Sequence, residues 1–511
     1  MPIHRRLGNW STSIFLLLLT VSFSAFCAQV GSACDEIPAG QTFRARLLQP
    51  VSSYSSKPGS PVRAMLIESP RCDQAATFPV GTIIQGHIQS VHKVGMGFRH
   101  EIATLEIQFD QIEPEGAPPI GMLAQVLQVD NARERVIDGV IHGIRSTNTP
   151  QDHLSSRVGY LATWDPHTMW ILPAYRAVFP VFPEPELYFP AGTDLLLELA
   201  MRLPVANLAV ASAGPAFDSP DREDIEHLAL SLPERTTTPK GRAADLVNVA
   251  FVGSERQLES AFQAAGWKQS DAMSKRAAFR EIDAFLMLRN DATGPMSRQL
   301  LQGEASESTW EKGLDSLAKR DHLRIWSTLD VWKDDPVWLS ASTRDVRANL
   351  SLRTGKFVHY VDPKVDEERE RVVRDLILAG CVDRVDEVAR PTTPHFVVNA
   401  TGGEMHTDGA IAVVKLRDCN HPLFTDDPDA PALAARPRSR FVRYIRTQVL
   451  STRNLWRENA FYDAYAVTRK SVVAIRRHDR LEREERQNEA ERAERAQKSG
   501  TSTILAGTLS N

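Results

Sequence analysis

His322 and Arg324 stand two residues apart in an apolar, strand-forming run, so both side chains leave the same side of that strand. Downstream, His359 lies near the end of another strand, and Asp362-Pro363 reads as a helix start with Asp362 as N-cap. Asp362 and Asp366 would then share a helix face, with Arg369 and Glu370 one turn on. Imidazole, guanidinium and carboxylate at these spacings could do two kinds of chemistry. Arg324, beside the positive end of the helix, could clamp an oxyanion while a histidine oriented by a carboxylate moves a proton. Alternatively, His322, His359 and Asp362 could hold a divalent metal, with Asp408 of the Thr407-Asp408-Gly409 turn completing the shell. The candidate catalytic group is therefore His322, Arg324, His359 and Asp362, and the candidate ligand-binding group is Asp366, Arg369 and Asp408.

A structural account competes, and the residues favour it. Asp-Pro is a common helix start, Asp366 and Arg369 fit an i,i+3 ion pair, Asp408-Gly409 is a turn signal, and His322 and Arg324 could pair with acids across a sheet. No Gly-rich phosphate loop, Gly-x-Ser-x-Gly elbow or His-Glu-x-x-His is present, so no motif names a reaction, a resident metal or a cofactor.

The elements that must position these groups begin at the apolar run Val247–Val252. Gly253-Ser254 turns it into a helix with Leu258, Ala261, Phe262 and Ala265 on one face, which Gly266 ends. A second amphipathic helix spans Lys275 to Arg289. Strands follow at Leu323–Thr328, Val337–Thr343, Asn349–Arg353 and Lys356–Val361, with Thr354-Gly355 as a hairpin turn. A helix with Val365, Val372, Val373, Leu376 and Ile377 on its core face runs to Gly380, and Ala410–Leu416 is the last strand. This order implies an α+β sandwich, helices on one face of a mainly antiparallel sheet, over 243–417.

The first half has another texture. Residues 34–205 show short alternating strands and a repeated turn: Ile37-Pro38-Ala39-Gly40, Phe78-Pro79-Val80-Gly81-Thr82 and Phe189-Pro190-Ala191-Gly192-Thr193. Many short strands at this spacing indicate an all-β barrel or sandwich. Proline-rich 206–242 reads as a linker, with one or two helical turns over Asp221–Leu232. A second linker covers 418–440, a helical charged segment 441–498, with Tyr444, Leu450 and Leu455 available for packing, and a disordered tail 499–511.

Residues 1–27 read as an export signal: His4, Arg5 and Arg6 precede an apolar run to Phe26, with cleavage expected after Cys27. No other segment is long and apolar enough to span a bilayer, so the mature chain is expected in a bacterial periplasm or at an envelope surface, touching membrane only if the signal is retained. A net charge of −4 over 511 residues offers nucleic acid no basic surface. Cys34, Cys72, Cys381 and Cys419 allow three pairings, of which Cys34–Cys72 and Cys381–Cys419 is the simplest.

Two resemblances follow. The turn residues from Ile37-Pro38-Ala39-Gly40 through Phe78-Pro79-Val80-Gly81-Thr82-Ile83-Ile84-Gln85-Gly86 resemble the TrbI-type barrel of type IV secretion channels, which implies an envelope assembly or scaffold module. Asn248-Val-Ala-Phe-Val-Gly-Ser254, Ala264-Ala-Gly-Trp267, His322-Leu-Arg-Ile-Trp326, Trp338-Leu-Ser-Ala-Ser-Thr343, His359-Tyr-Val-Asp-Pro363, Asp366-Glu-Glu-Arg369 and Thr407-Asp-Gly409 resemble the LssY-like C-terminal domain family over about 244–416. That family is named from a component associated with a type I secretion locus and carries no established reaction. Some relatives fuse it to lipid-phosphatase-like or DedA-like membrane segments, so the resemblance does not extend phosphatase activity to this chain. Relatives often have two histidines where this chain has Asp321-His322. The expectation is an exported binding or scaffold protein whose partners are envelope or secretion-system components. The alternative is a periplasmic hydrolase of an anionic ester working through His322, His359, Arg324 and Asp362.

Overall fold

The computed structural model describes residues 36–419, apart from 73–74, 77, 165–173, 175–181, 205–215, 271–274, 289–293, 295 and 352–355, together with 440–457 and 467–487 without 484–485. The export signal, Cys34 and its pairing with Cys72, the Thr354-Gly355 turn and the 499–511 tail lie outside the described residues.

The first half closes into a six-stranded antiparallel barrel. Its strands are β1 (Thr42–Leu47), β2 (Pro61–Glu68), β3 (Ile83–His92), β4 (Thr104–Glu113), β5 (Ile120–Val129) and β6 (Asp194–Leu199). They neighbour one another in the order β4-β3-β2-β1-β6-β5, and β4 pairs with β5 to complete the ring. Alternation fills it: Leu105, Ile107, Phe109 and Ile112 of β4 point inward beside Phe43, Ile84, Val126 and Leu197. The repeated turn has one structural job. The amides of Gly40, Gly81 and Gly192 each donate, at 2.8 Å, to a carbonyl at a neighbouring strand end: Leu199, Leu66 and Leu47. All three glycines have positive φ, between 84° and 95°, as the turn requires.

Gly86 carries a different constraint. A Cβ there would meet Gln108 O at 2.0 Å and Phe109 Cα at 2.7 Å, where β3 bulges against β4. Gly86→Ala is therefore expected to cost about 1–3 kcal/mol by forcing two backbones apart. Chemical denaturation read by far-ultraviolet circular dichroism measures it.

Before the second half comes helix α1 (Pro150–Trp164). Helix α2 (Ser219–Ser231) follows, its N-cap Asp218 accepting from the Asp221 amide. The main sheet is built from β7 (Val249–Val252), β8 (Lys268–Gln269), β9 (Ser308–Gly313), β10 (Arg320–Trp332), β11 (Asp335–Ser351), β12 (Lys356–Val361), β13 (Val382–Ala389) and β14 (Ala410–Leu416). Its order is β8-β9-β10-β11-β7-β14-β13 with β12 on the far part of β11, and β7–β14 is a parallel pairing within an otherwise antiparallel sheet. On one face lie α3 (Glu255–Ala264), started by a Ser254–Gln257 capping box, and α5 (Val365–Leu378); α4 (Lys275–Leu286) comes between them in sequence. Leu258, Phe262, Val372 and Leu376 pack there on Val249, Phe251, Leu323 and Ile325.

The opposite face is covered from the segment expected to be a linker. Ile225, Ala229 and Leu232 bury against Ala250, Val252, Trp326 and Leu339. The helix there is longer than the one or two turns its sequence suggested, because Ile225, Ala229 and Leu232 form a stripe at spacings of four and three that the sheet can bury. The expected strand Val337–Thr343 and the described part of the next, Asn349 to Ser351, are one continuous β11; 352–353 lie outside the described residues.

After 420–439, helix α6 (Arg440–Arg457) returns to the barrel. Leu450 is buried against Gly97, the buried Arg446 donates to Gly95 O at 2.9 Å and to Glu184, and Tyr444 stays exposed.

Candidate functional site

Because Leu323 and Ile325 face α5, alternation sends His322 and Arg324 to the other side of β10. There His322 Nε2 lies 2.9 Å from Asp345 Oδ1, and His359 Nδ1 approaches Asp345 Oδ2 at 3.0 Å, an ion-pair contact without an aligned hydrogen bond. Arg320 joins the same carboxylate at 3.2 Å and Glu311 at 2.7 Å, while Glu281 of α4 stands 3.7 Å from His359 Nε2. Two predicted histidines therefore do converge, on an aspartate that sequence reasoning missed. Pairing outward from the Lys333-Asp334 turn between β10 and β11 could have placed Asp345 within reach.

The cluster is buried at its centre and reaches the surface at His359, 18% of whose side chain is exposed. His322 is 5% exposed and Asp345 1%. Burial disfavours the Asp345 carboxylate, but His322 and His359 outweigh it and hold its pKa well below the usual carboxylate range. Burial likewise opposes the His359 imidazolium, yet Asp345 and Glu281 raise its pKa above 6.5. A raised histidine pKa contributes stability that is complete below the unfolded value and lost as pH rises through the folded value. His359→Gln is thus expected to flatten the fall in stability above pH about 6.5, read from urea midpoints between pH 6 and 9; an unchanged slope would contradict the pairing.

The remaining candidates go elsewhere. Arg324 is buried, 3.4 Å from Asp245, and donates to Ser297 O at 3.1 Å; burial, incompletely offset by Asp245, lowers its pKa. Asp362 is half-buried on a turn, where it accepts from the Lys364 amide at 3.0 Å. It does not cap α5, whose N-cap is Lys364. The reason is local: Pro363 O accepts from the Val365 and His406 amides, tying this stretch to 406 and delaying the helix.

Asp366, Arg369 and Asp408 form a separate group on the α5 side of the sheet. Arg369, 1% exposed at its side chain, donates to both Asp408 oxygens at 2.8 Å and to Asp366 at 3.1 Å, and pairs with Glu387. Asp366 also accepts from Thr407 Oγ1 and the Asp408 amide. This group fastens the Thr-Asp-Gly turn to the helix. Cys381 and Cys419 are joined by a disulfide, S–S 2.10 Å, which ties the chain after β14 to the end of α5. Among the described residues no group of three His, Cys, Asp or Glu side chains is arranged to hold a metal ion.

A larger set of buried charges, none of it among the candidates, joins the two halves. Asp130, at the end of the barrel strand β5, receives Arg44 of β1 and Arg371 of α5, both at 2.7 Å, with Arg344 at 3.5 Å. Burial alone would raise the Asp130 pKa; the three guanidiniums override it and hold the group strongly ionised. Arg46 forks onto Asp194 at 2.6 and 2.9 Å and reaches Asp375 of α5 at 2.8 Å, where Lys312 and the Trp267 indole also bond. Asn131 donates to Asp321 at 2.6 Å. Beside them, burial and the neighbouring Asp321 push the Glu368 carboxyl well above its ordinary range, against the opposing pull of Arg371 and Arg344.

Residues 229–411 match the family model described as the LssY C-terminus, covering the sheet up to the start of β14 together with α3, α4 and α5. The second half carries an LssY-like C-terminal domain. No curated protein matches the chain. Among solved structures, ComB10 of the Com type IV secretion system of Helicobacter pylori aligns with TM-score 0.18 and 13% identity, over 33% of this chain and 89% of that one. A score that low adds nothing to the barrel described above. Within the LssY-like domain the motif residues His322 and His359 pair with the buried Asp345, and Arg369 with the more exposed Asp408 and Asp366. No helix among the described residues is long and apolar enough to cross a membrane.

Proposed function

We propose that this protein is an exported, envelope-associated binding or scaffold protein in which a β-barrel and an LssY-like domain present one composite surface, serving cell-envelope or secretion assemblies. The observation that carries the reading is the fate of the titratable groups. His322, Arg324 and His359 are each committed to a buried carboxylate or carbonyl, and the buried Arg369 to the half-exposed Asp408, so none of these four holds an unspent charge over an open cleft. The hydrolase reading needs His322, His359, Arg324 and Asp362 around a substrate. Asp362 stands apart on its turn, and His322 is only 5% exposed, with His359 18% exposed at its side chain.

The test is a crosslinking pull-down of the full chain from intact cells. Recovery of the same envelope components with native protein, and their loss when only the LssY-like domain surface is altered, supports the reading; recovery of none refutes it. Metal analysis of protein purified without chelator, with a phosphoesterase substrate panel, addresses the hydrolase reading directly, and turnover abolished by His322→Gln would replace the scaffold account.

A further inference from the structure

The chain is acidic overall, with a net charge of −4, yet its C-terminal helices gather the opposite charge. Between 436 and 457 stand seven arginines and no acid. Helix α7 (467–483) then adds Arg469, Lys470, Arg476, Arg477, Arg480 and Arg483 against Asp479 and Glu482. Every position of α7 is exposed, and it meets the barrel where Arg480 lies 3.6 Å from Asp138. Helical spacing sorts its charges. Arg469, Lys470, Arg476 and Arg477 are at i−4, i−3, i+3 and i+4 from Val473, so the four surround that side chain on one face. Glu482 is on the opposite face, where it takes His478 and Arg486. Among the described residues no carboxylate partners any of the four cations.

Folding leaves a second feature of this helix unanswered. Val472, Val473 and Ile475 are 42%, 58% and 59% exposed and cover no core. An acidic protein or a nucleic acid would answer the cations but would not account for the valine set among them. A phospholipid headgroup layer answers both, since its phosphates take the cations while apolar side chains reach the acyl boundary. We propose that α7 docks this protein on the surface of an anionic phospholipid bilayer, with Arg469, Lys470, Arg476 and Arg477 on headgroup phosphates around Val473. No helix among the described residues is long and apolar enough to cross, so this contact lies in the plane of the surface. It goes beyond the scaffold reading and needs no export signal left in place. Failure to recover a cellular partner leaves it standing, and failure to bind vesicles leaves the scaffold reading standing.

Vesicle flotation tests it, using the mature chain cut after Cys27 so that the signal's own apolar run cannot hold a vesicle. The expected result is co-flotation with vesicles of phosphatidylglycerol and phosphatidylcholine in equal parts, with binding to phosphatidylcholine alone about tenfold weaker or less. Added salt should weaken the binding as screening shortens the reach of the charges. Arg476→Ser with Arg477→Ser should lower the affinity about tenfold or more at an unchanged thermal midpoint, and lysine at both positions should restore it. Val473→Ser should weaken it severalfold. No flotation, equal flotation with both vesicle types, or native affinity in the double serine variant would overturn the proposal. So would tighter retention on polyglutamate or duplex DNA than on vesicles, or a dimer that the serine variant dissolves in the absence of flotation, which assign the face to an acidic protein, a nucleic acid or a second copy.

Discussion

Replacing Asp130 with alanine is expected to destabilise the protein by about 3–5 kcal/mol, the range for removing one partner of a buried ion pair. The cost comes from what is left behind. Arg371, with 4% of its side chain exposed, and Arg44 and Arg344, at 16% and 11%, would face one another across the domain boundary with their shared carboxylate gone. A pair replaced as a unit by apolar groups of similar volume is often close to neutral, so Asp130→Leu combined with Arg371→Met should recover much of the loss. Urea denaturation of the native protein and the two variants measures this, and a double variant no better than Asp130→Ala would show that shape, not charge, governs the site. The same carboxylate gives acid sensitivity. Asp130 and Asp375 are both held below the ordinary range, by arginines at the first and by Lys312 and Arg46 at the second, against the opposing effect of burial. A depressed carboxylate pKa contributes stability that is present above the unfolded value and lost as pH falls through the folded one, so domain coupling should weaken below pH about 4.

Asp345→Ala is expected to cost a similar amount, about 3–5 kcal/mol, because His322, His359 and Arg320 converge on that one carboxylate inside the LssY-like domain. Arg320 keeps Glu311 at 2.7 Å and His359 keeps Glu281 at 3.7 Å, so the loss falls mainly on His322. Asp345→Asn preserves the shape and discriminates between the two readings of the cluster. As a structural ion-pair hub, the site loses stability with that change; as a histidine-orienting catalytic carboxylate, it would lose turnover while keeping its melting temperature. Thermal denaturation beside the phosphoesterase panel separates the two.

What the chain discloses about itself is local. The Pro-x-Gly turns of the barrel, the Ser254 cap and the alternation of His322 with Leu323, Arg324 and Ile325 are each decided within a few residues, and each takes the form its sequence implies. Asp362 misled because Asp-Pro signals a helix start, whereas the carbonyl of Pro363 is claimed by His406, a contact formed by a distant strand. The charges between the halves were illegible for the same reason. Arg371 meets Asp130 across 241 residues of sequence and Arg46 meets Asp375 across 329, separations at which no periodicity or motif operates. Segment 219–231 looked like a linker because its prolines flank a stripe of only three buried residues, which becomes meaningful once a sheet is there to receive it.

The central claim is that buried charge welds the barrel and the LssY-like domain into one cooperative unit. Differential scanning calorimetry of the full chain beside Asp130→Ala tests it most directly. One transition in the native protein, resolving into two in the variant with the earlier moved to lower temperature, is the predicted outcome; two transitions in the native protein that the substitution leaves in place would contradict it.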